Sequence, residues 1–143
     1  MSKYLSRIDT EGRLHIPAEL HEILGDKIII TNGLDRGYLC MYTLTCFDNI
    51  KQQLSTLNSM DVNVRRVNRL IVGEAAMVDI NSDHVIVVPD YLLERIEATV
   101  NTDLYIFVYD NKCEICACDV YDANVNEMLS VDNLSERYCI SGL

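Results

Sequence analysis

Proline and glycine are scarce in this chain, which has two and six of them, respectively. Such a composition argues against long linkers and against a disordered polypeptide. No stretch approaches the roughly 18 consecutive apolar residues that a membrane-spanning helix needs, and the first residues lack the apolar run of a signal peptide. Because 49% of the 143 residues are hydrophobic, a core can be buried. We therefore expect a folded cytosolic protein.

Basic residues are scarce in the second half. Residues 1–72 hold nine Lys and Arg against eight Asp and Glu, for a charge of +1. Residues 73–143 hold three against fourteen, for −11, and the two halves give the total of −10. This total opposes nucleic-acid binding by the surface as a whole. A contact with a polyanion is therefore expected only in the first half.

A weak internal repeat organises the sequence. Residues 9–20, DTEGRLHIPAEL, align with residues 81–92, NSDHVIVVPDYL, 72 positions later. Pro17 then matches Pro89, and each copy is followed by two apolar, strand-like runs and a helical stretch. Two copies of one unit fit this length better than two unrelated domains.

The hydrophobic pattern of each copy predicts strand, turn, strand, short helix, strand, turn, strand and helix. Gly12 marks the first turn, and Gly25 is the expected end of the helix that begins at Pro17. The predicted strands are 4–8, 13–16, 27–31, 38–43, 104–109 and 112–119, and the predicted helices are 46–57, 62–71 and 120–129. The alternation predicts an α+β fold of small intertwined β-barrel units. We expect a first unit at 1–61, a linker helix at 62–74 and a second unit at 75–143.

These landmarks resemble the MraZ family, whose units belong to the AbrB-like swapped-hairpin group. The resemblance rests on the pattern DxxGRxxxP at residues 9–17. It is strengthened by GLD at 33–35, by RRVNRLIVG in the linker at 65–73 and by LSER at 134–137. The landmarks follow the family's order over nearly the whole chain and are specific together, whereas the first alone would be weak.

The resemblance implies two tandem swapped-hairpin β-barrel units with short helices, related by a degenerate repeat. It also implies a transcriptional regulator, not an enzyme, that binds repeated boxes in double-stranded promoter DNA of division and cell-wall genes. Assembly into a ring-like homo-oligomer and association with the nucleoid follow from it. The family's DNA-reading motif, Asp-x-x-x-Arg, falls here on Asp9 and Arg13. No cofactor, metal, membrane or small-molecule substrate is implied.

The second copy departs from that motif. The repeat places its Asp, Gly and Arg at Asn81, His84 and Val85. The run 85–88 is continuously apolar, which suits a strand covered on both faces, so we expect Val85 to be buried. The second unit keeps the hydrophobic pattern and has lost the charged residues of the motif. Whether it contacts DNA stays open.

Arg13 is the first candidate for DNA contact, because its planar fork can hold a guanine edge or a phosphate with two hydrogen bonds. Gly12 permits a tight turn and a close backbone approach, and Asp9 can fix the turn or the direction of Arg13. The alternative is an Asp–Arg pair that only shapes the hairpin. Lys3 and Arg7 share one face of the first strand. They either contact phosphates or form an ordinary solvated face.

Three other sets of residues favour structural roles. Arg65, Arg66 and Arg69 lie on one side of a helix, and pairing with the acidic second half is favoured over phosphate binding. Cys113, Cys116 and Cys118 invite a zinc hypothesis, but strand alternation splits them between two faces and a second ligand pair is missing. Buried free thiols are therefore expected. The apolar stripe in helix 47–60 suits a core or a subunit contact.

The sequence contains no motif that indicates an enzyme. Its three histidines form no recognisable set with a nucleophile and a carboxylate, and it has neither a phosphate-binding Gly-rich loop nor a paired-carboxylate signature. The main alternative to a DNA-binding regulator is a ring-forming interaction module that has lost DNA binding, which the acidic charge and the eroded second motif support. An antitoxin-like branch of the fold group fits less well, because such antitoxins usually have one unit.

Overall fold

Antiparallel β-strands form the framework of the computed structural model, which describes residues 2–110 and 112–128 and has an α+β fold. The strands of this region are β1 (Ser2–Arg7), β2 (Arg13–His15), β3 (Lys27–Asn32), β4 (Tyr38–Thr43), β5 (Ala76–Asp79), β6 (Val85–Val87), β7 (Asp103–Val108) and β8 (Cys113–Ala117). The helices are α1 (Ala18–Leu24), α2 (Leu44–Ser55), α3 (Val62–Val67), α4 (Asp90–Arg95) and α5 (Cys118–Met128). A π-helical turn, Asn68–Gly73, continues α3.

Strands from the two halves of the chain are interleaved. The main sheet has the order β1-β7-β8-β4-β3-β5, and a second sheet pairs β2 with β6. Thus β1 pairs antiparallel with β7, and β5 pairs antiparallel with β3. Exchanging the two halves maps the strand order onto itself. Each half therefore supplies an edge strand to the other half.

The three consecutive isoleucines of β3 show why this strand is central. Ile28 and Ile30 face the main hydrophobic core, whereas Ile29 faces a second cluster with Tyr42 and Phe47. Because β3 is covered on both faces, it needs apolar residues at successive positions. The continuous apolar run in the sequence reports this burial.

The first short helix has the predicted ends. Pro17 immediately precedes α1, and Gly25 follows it with a φ of +84°. The backbone N–H of Gly25 donates to the carbonyl of His21 at 2.9 Å. A positive φ is easily adopted by glycine, so this residue ends the helix.

The linker differs from the single helix predicted for 62–71. It is α-helical to Val67 and then widens into the π-helical turn. Two buried polar side chains of β3 bind that turn: Thr31 Oγ1 donates to the Ile71 carbonyl at 2.6 Å, and Asn32 Nδ2 donates to the Leu70 carbonyl at 2.8 Å. Carbonyls at the end of a helix need such donors when buried. The linker is thus fixed to the first half of the chain.

Val85 is buried, with 4% of its surface exposed, as the sequence predicts. The expectation that both faces of this strand are covered is wrong, because Val87 is 69% exposed. The strand β6 belongs to a two-stranded sheet, and its Ile86 and the following Val88 enter the core. An apolar run therefore does not prove that both faces of a strand are covered.

The last strand is shorter than predicted for 112–119. It ends at Ala117, and Cys118 begins α5. The motif at 134–137 and Cys139 lie outside the described residues. Among the described helices, none is long and apolar enough to cross a membrane.

Replacing Thr31 with Val should destabilise the protein by about 1–3 kcal/mol, because the buried Ile71 carbonyl loses its donor. The measurement is urea-induced unfolding. The control is Thr31→Ser, which keeps the hydroxyl and loses only a methyl group, worth about 0.8 kcal/mol. A Val variant as stable as the wild type would show that this hydrogen bond does not hold the linker.

Candidate nucleic-acid interface

The first turn, residues 9–13, is closed by one carboxylate. Asp9 Oδ1 accepts hydrogen bonds from the backbone N–H groups of Glu11 at 2.9 Å and Arg13 at 3.0 Å. The backbone N–H of Asp9 in turn donates to the Arg13 carbonyl at 2.9 Å. Gly12 has a φ of +79°, which glycine adopts without strain. Asp9 thus shapes the loop from which the Arg13 side chain projects.

The hydrogen bond from the Arg13 backbone N–H is the main reason that the pKa of Asp9 lies below its ordinary value. Desolvation is the next largest effect and acts in the opposite direction, whereas the hydrogen bonds from the His15 side chain and the Glu11 backbone also lower the pKa of Asp9. Bonds donated to the charged form of a carboxyl group favour that form. Asp9 is therefore a carboxylate at neutral pH.

The Arg13 side chain lies between two acids. Its Nη2 forms an ion pair with Glu11 Oε2 at 2.9 Å, and its Nε lies 3.5 Å from Asp9 Oδ2. Among the described residues, that Nε has no hydrogen-bond partner. The Arg13 side chain is 35% exposed, so it is neither buried as a structural pair nor fully free.

His15 belongs to the same surface and was not identified as a site residue from the sequence. Its Nε2 lies 3.0 Å from Asp9 Oδ2, and its side chain is 51% exposed. Arg13 and His15 are two residues apart on β2, so they share one face, while Leu14 between them enters the core. That two-residue spacing was the available sequence signal.

Arg7 joins this surface, whereas Lys3 does not. Arg7 and His15 line one groove of about 470 Å³ beside Asp103. Lys3 and Arg7 are both exposed on the same face of β1, as predicted, but four residues of a strand separate them by about 13 Å. The Lys3 ammonium lies 4.6 Å from the centre of the Tyr105 ring, where cation–π attraction holds it.

The second turn, residues 81–85, repeats the geometry of the first without its Asp–Arg pair. Asn81 Oδ1 accepts from the backbone N–H groups of Asp83 at 3.0 Å and Val85 at 3.1 Å. His84 has a φ of +61°, the counterpart of Gly12 in the first turn. Each residue stands where the 72-residue repeat places it. An amide oxygen therefore closes the second turn as a carboxylate closes the first.

His84 ties the second turn to the first half of the chain. Its Nδ1 lies 2.6 Å from Nδ1 of His21 on α1, and His21 Nε2 lies 2.8 Å from Asp26 Oδ1. At this distance one ring nitrogen donates a hydrogen bond and the other accepts it. In the second turn, the residue at the position of Gly12 is thus a histidine whose side chain contacts another part of the chain.

The basic linker residues do not act as one cluster. Arg65 Nη1 donates to the backbone carbonyls of Ser59 and Met60 at 3.1 and 2.8 Å. Its role is thus structural, but its partners are carbonyl groups and not the expected acids. Arg66 and Arg69 are exposed, and among the described side chains no ion pair involves them.

The cysteines of the last strand are buried free thiols, as predicted for Cys113 and Cys116. Burial raises the pKa of Cys113 to about 12 and that of Cys116 to about 11. The prediction is wrong for Cys118, which is only partly buried and lies at the start of α5 instead of continuing the strand. Zinc binds thiolates, and in the part of the chain described here no three His, Cys, Asp or Glu side chains are arranged around a metal position.

The chain is similar to curated regulators over almost its whole length. It is 29% identical to the transcriptional regulator MraZ of Acetivibrio thermocellus over 142 residues, which cover 99% of this chain and 97% of the relative. It is 34% identical to the MraZ of Symbiobacterium thermophilum over 119 residues, covering 83% and 84%. The MraZ of a Thermoanaerobacter species is 30% identical over 138 residues, covering 96% and 94%.

The chain belongs to the MraZ family. The family model, described as MraZ protein and antitoxin-like, matches residues 1–70. That segment contains the first turn with Asp9 and Arg13 and stops before the second turn. The relatives are named transcriptional regulators, and the MraZ family is one of regulators, not of enzymes.

Replacing Asp9 with Asn should preserve the fold, because Asn81 already closes the equivalent turn with an amide oxygen. Asp9→Ala should lower the unfolding temperature further, since two backbone N–H groups lose their acceptor. Thermal unfolding of both variants measures the difference. Equal losses in the two would mean that these hydrogen bonds do not close the turn.

The stability that the wild type gains over the Asp9→Asn variant should depend on pH. Because the folded-state pKa of Asp9 is lowered, its stabilising effect is complete above the ordinary value of 3.8 and is lost as pH falls through the lowered folded value. The same thermal measurement at neutral and strongly acidic pH should show the wild type and Asp9→Asn converging in acid. A constant difference at all pH values contradicts the ionic role of Asp9.

Proposed function

We propose that the chain is a DNA-binding transcriptional regulator that contacts duplex DNA through its first turn. The observation that carries the proposal is a half-exposed arginine on a turn that Asp9 closes, with His15 on the same strand face. The family membership supports it, since the relatives are named regulators. The charge distribution supports it too, because the first half of the chain lacks the acidic excess of the second.

Arg13 would contact the DNA directly. An arginine fork suits a guanine edge in the major groove or a phosphate. Gly12 lets the backbone approach the DNA closely, and Asp9 holds the loop in shape. Arg7, on the neighbouring strand, would contact a phosphate and position the turn. Lys3 would reach only a more distant phosphate, after leaving the Tyr105 ring.

The chain would consist of two tandem swapped-hairpin units. The proposed division is 1–61, a linker at 62–74 and 75–143. Support comes from the symmetric strand order, from the edge strands exchanged between the halves and from the two turns with equivalent hydrogen bonds. Only the first unit carries a turn with the Asp–Arg pair, so one contact point per chain is proposed.

Several chains would act together in a ring. One turn makes few contacts, whereas several turns on one rigid assembly gain affinity through effective concentration when the DNA carries matching repeats. The proposed targets are repeated boxes in promoters of division and cell-wall genes, which would place the protein at the nucleoid. The acidic second units would face away from the DNA and limit non-specific binding.

A ring-forming interaction module without DNA binding is the second candidate. Two observations favour it: Arg13 is held by Glu11 and lies near Asp9, and the second turn has no basic residue at the position equivalent to Arg13. Salt-dependent binding to the promoter region of the protein's own gene separates the two functions. A regulator binds that DNA, and an interaction module does not.

Replacing Arg13 with Ala should abolish specific DNA binding while leaving the fold intact, because an exposed ion pair contributes little stability. The loss repeats in every subunit of an assembly. Fluorescence anisotropy with a promoter duplex measures the binding, and circular dichroism checks the fold. The matched control is Arg36→Ala, an exposed arginine outside the first turn. A folded Arg13→Ala variant that binds like the wild type removes Arg13 from the interface.

DNA binding should also depend on assembly and on salt together. Each phosphate neutralised contributes about 0.9 to the slope of log affinity against log salt on duplex DNA. An array of several subunits should therefore show a slope of several units, whereas a dissociated form should bind weakly with the slope of a single contact region. Binding of the intact oligomer and of an interface-disrupted form is compared over a salt series. The multivalent mechanism is wrong if affinity and slope are equal in the two forms.

A further inference from the structure

The acid at the tip of the first turn is the main partner of the Arg13 guanidinium. Glu11 is 69% exposed, and its Oε2 lies 2.9 Å from Arg13 Nη2. The contact between Arg13 Nε and Asp9 Oδ2 is longer, at 3.5 Å, and Arg13 Nε makes no hydrogen bond within the described part of the chain. The guanidinium is therefore held mainly by Glu11.

Asp9 does not depend on the Arg13 side chain for its hydrogen bonds. Its Oδ1 accepts from two backbone N–H groups, and its Oδ2 lies within hydrogen-bond distance of His15 Nε2, at 3.0 Å. Movement of the guanidinium away from the turn would leave every one of these bonds in place. The turn can thus keep its shape while Arg13 changes position.

We propose that Glu11 is a positioning residue that holds Arg13 back in the free protein, and that DNA binding requires this ion pair to break while His15 keeps Asp9 satisfied. This inference rests on the proposed contact between Arg13 and DNA. Arg13 exchanges one anionic partner, Glu11, for another partner, a phosphate or a base edge. Glu11 thereby lowers the affinity of every turn and makes binding depend on several turns acting together.

Glu11 could also weaken binding in a simpler way, by repelling the DNA phosphates. The two effects differ in their dependence on Arg13. The ion pair between Glu11 and Arg13, called the clamp below, acts only when the Arg13 side chain is present, whereas repulsion acts with or without that side chain. A double-mutant cycle isolates the interaction between the two residues.

The cycle compares the wild type, Glu11→Gln, Arg13→Ala and the double variant on a duplex from the promoter region of the protein's own gene. Glu11→Gln should bind about two- to fivefold tighter than the wild type, the range expected from an exposed ion pair. Because Arg13→Ala loses specific binding, all four proteins are compared at one low salt concentration, where weaker binding driven by phosphate contacts remains measurable. In the Arg13→Ala background, the same change should then give almost no gain. An equal gain in both backgrounds would overturn the clamp and leave simple repulsion.

The second turn supplies a matched control. Asp83 occupies the position equivalent to Glu11, is exposed and is followed two residues later by Val85 instead of an arginine. Asp83→Asn removes the same charge from a turn of the same geometry, so it should leave DNA affinity unchanged. A gain as large as that of Glu11→Gln would show that net charge, and not the ion pair with Arg13, controls binding.

A measurement without DNA tests the clamp separately from the proposed function. NMR relaxation of the Arg13 Nε–H group reports the mobility of the side chain, which should rise in Glu11→Gln. Equal mobility in the two proteins would overturn the clamp, whatever the DNA data show. Failure of the proposed function looks different, because Arg13→Ala then binds DNA like the wild type. In that case DNA binding does not require the Glu11–Arg13 ion pair to break, and this part of the inference is overturned too.

Discussion

The antiparallel pairing of β2 with β6 joins the two turns, and the candidate interface depends on it. Arg13 lies opposite Val87 and His15 lies opposite Val85 in this two-stranded sheet. The residues between them, Leu14 and its partner on β6, both point into the core. Because side chains alternate along a strand, burying this central pair forces Arg13 and His15 outward. The surface chemistry of the first turn is thus fixed by apolar contacts beneath it.

This dependence explains why the second turn has the geometry of the first without its Asp–Arg pair. Val85 must pair with His15, so the second turn has to retain its shape even without an arginine of its own. Asn81 provides the same backbone hydrogen bonds as Asp9, and His84 adds a contact to His21 that the first turn does not repeat. The second half acts as the scaffold of the first turn. A net charge of −10 is compatible with DNA contact when that contact is local.

Much of the fold could be predicted from the sequence because local patterns of residues determine many of its elements. The buried run of β3, the glycine that ends α1 and the repeat that aligns the two turns depend on residues close together in the chain or on a simple spacing. Asp9, Gly12 and Arg13 were predicted as site residues mainly through the resemblance to the MraZ family, whose motif falls within this one short turn. The linker was only partly predictable, because its π-helical turn is stabilised by Thr31 and Asn32 of a distant strand.

The amino-acid pattern was sufficient for most of the strands, for the turns and for the position of the turn with the Asp–Arg pair. The pairing of strands across the two halves came from the folded chain, since partners such as β1 and β7 lie about a hundred residues apart. The fold also revealed that Glu11 and Asp9 face the Arg13 side chain and that the His15 side chain contacts the Asp9 carboxylate as well. Charge patterns give the sign of each residue, but distances of 2.9 and 3.5 Å between side chains follow from backbone geometry and packing. For that reason the sequence identified the arginine, and the structure identified what holds it.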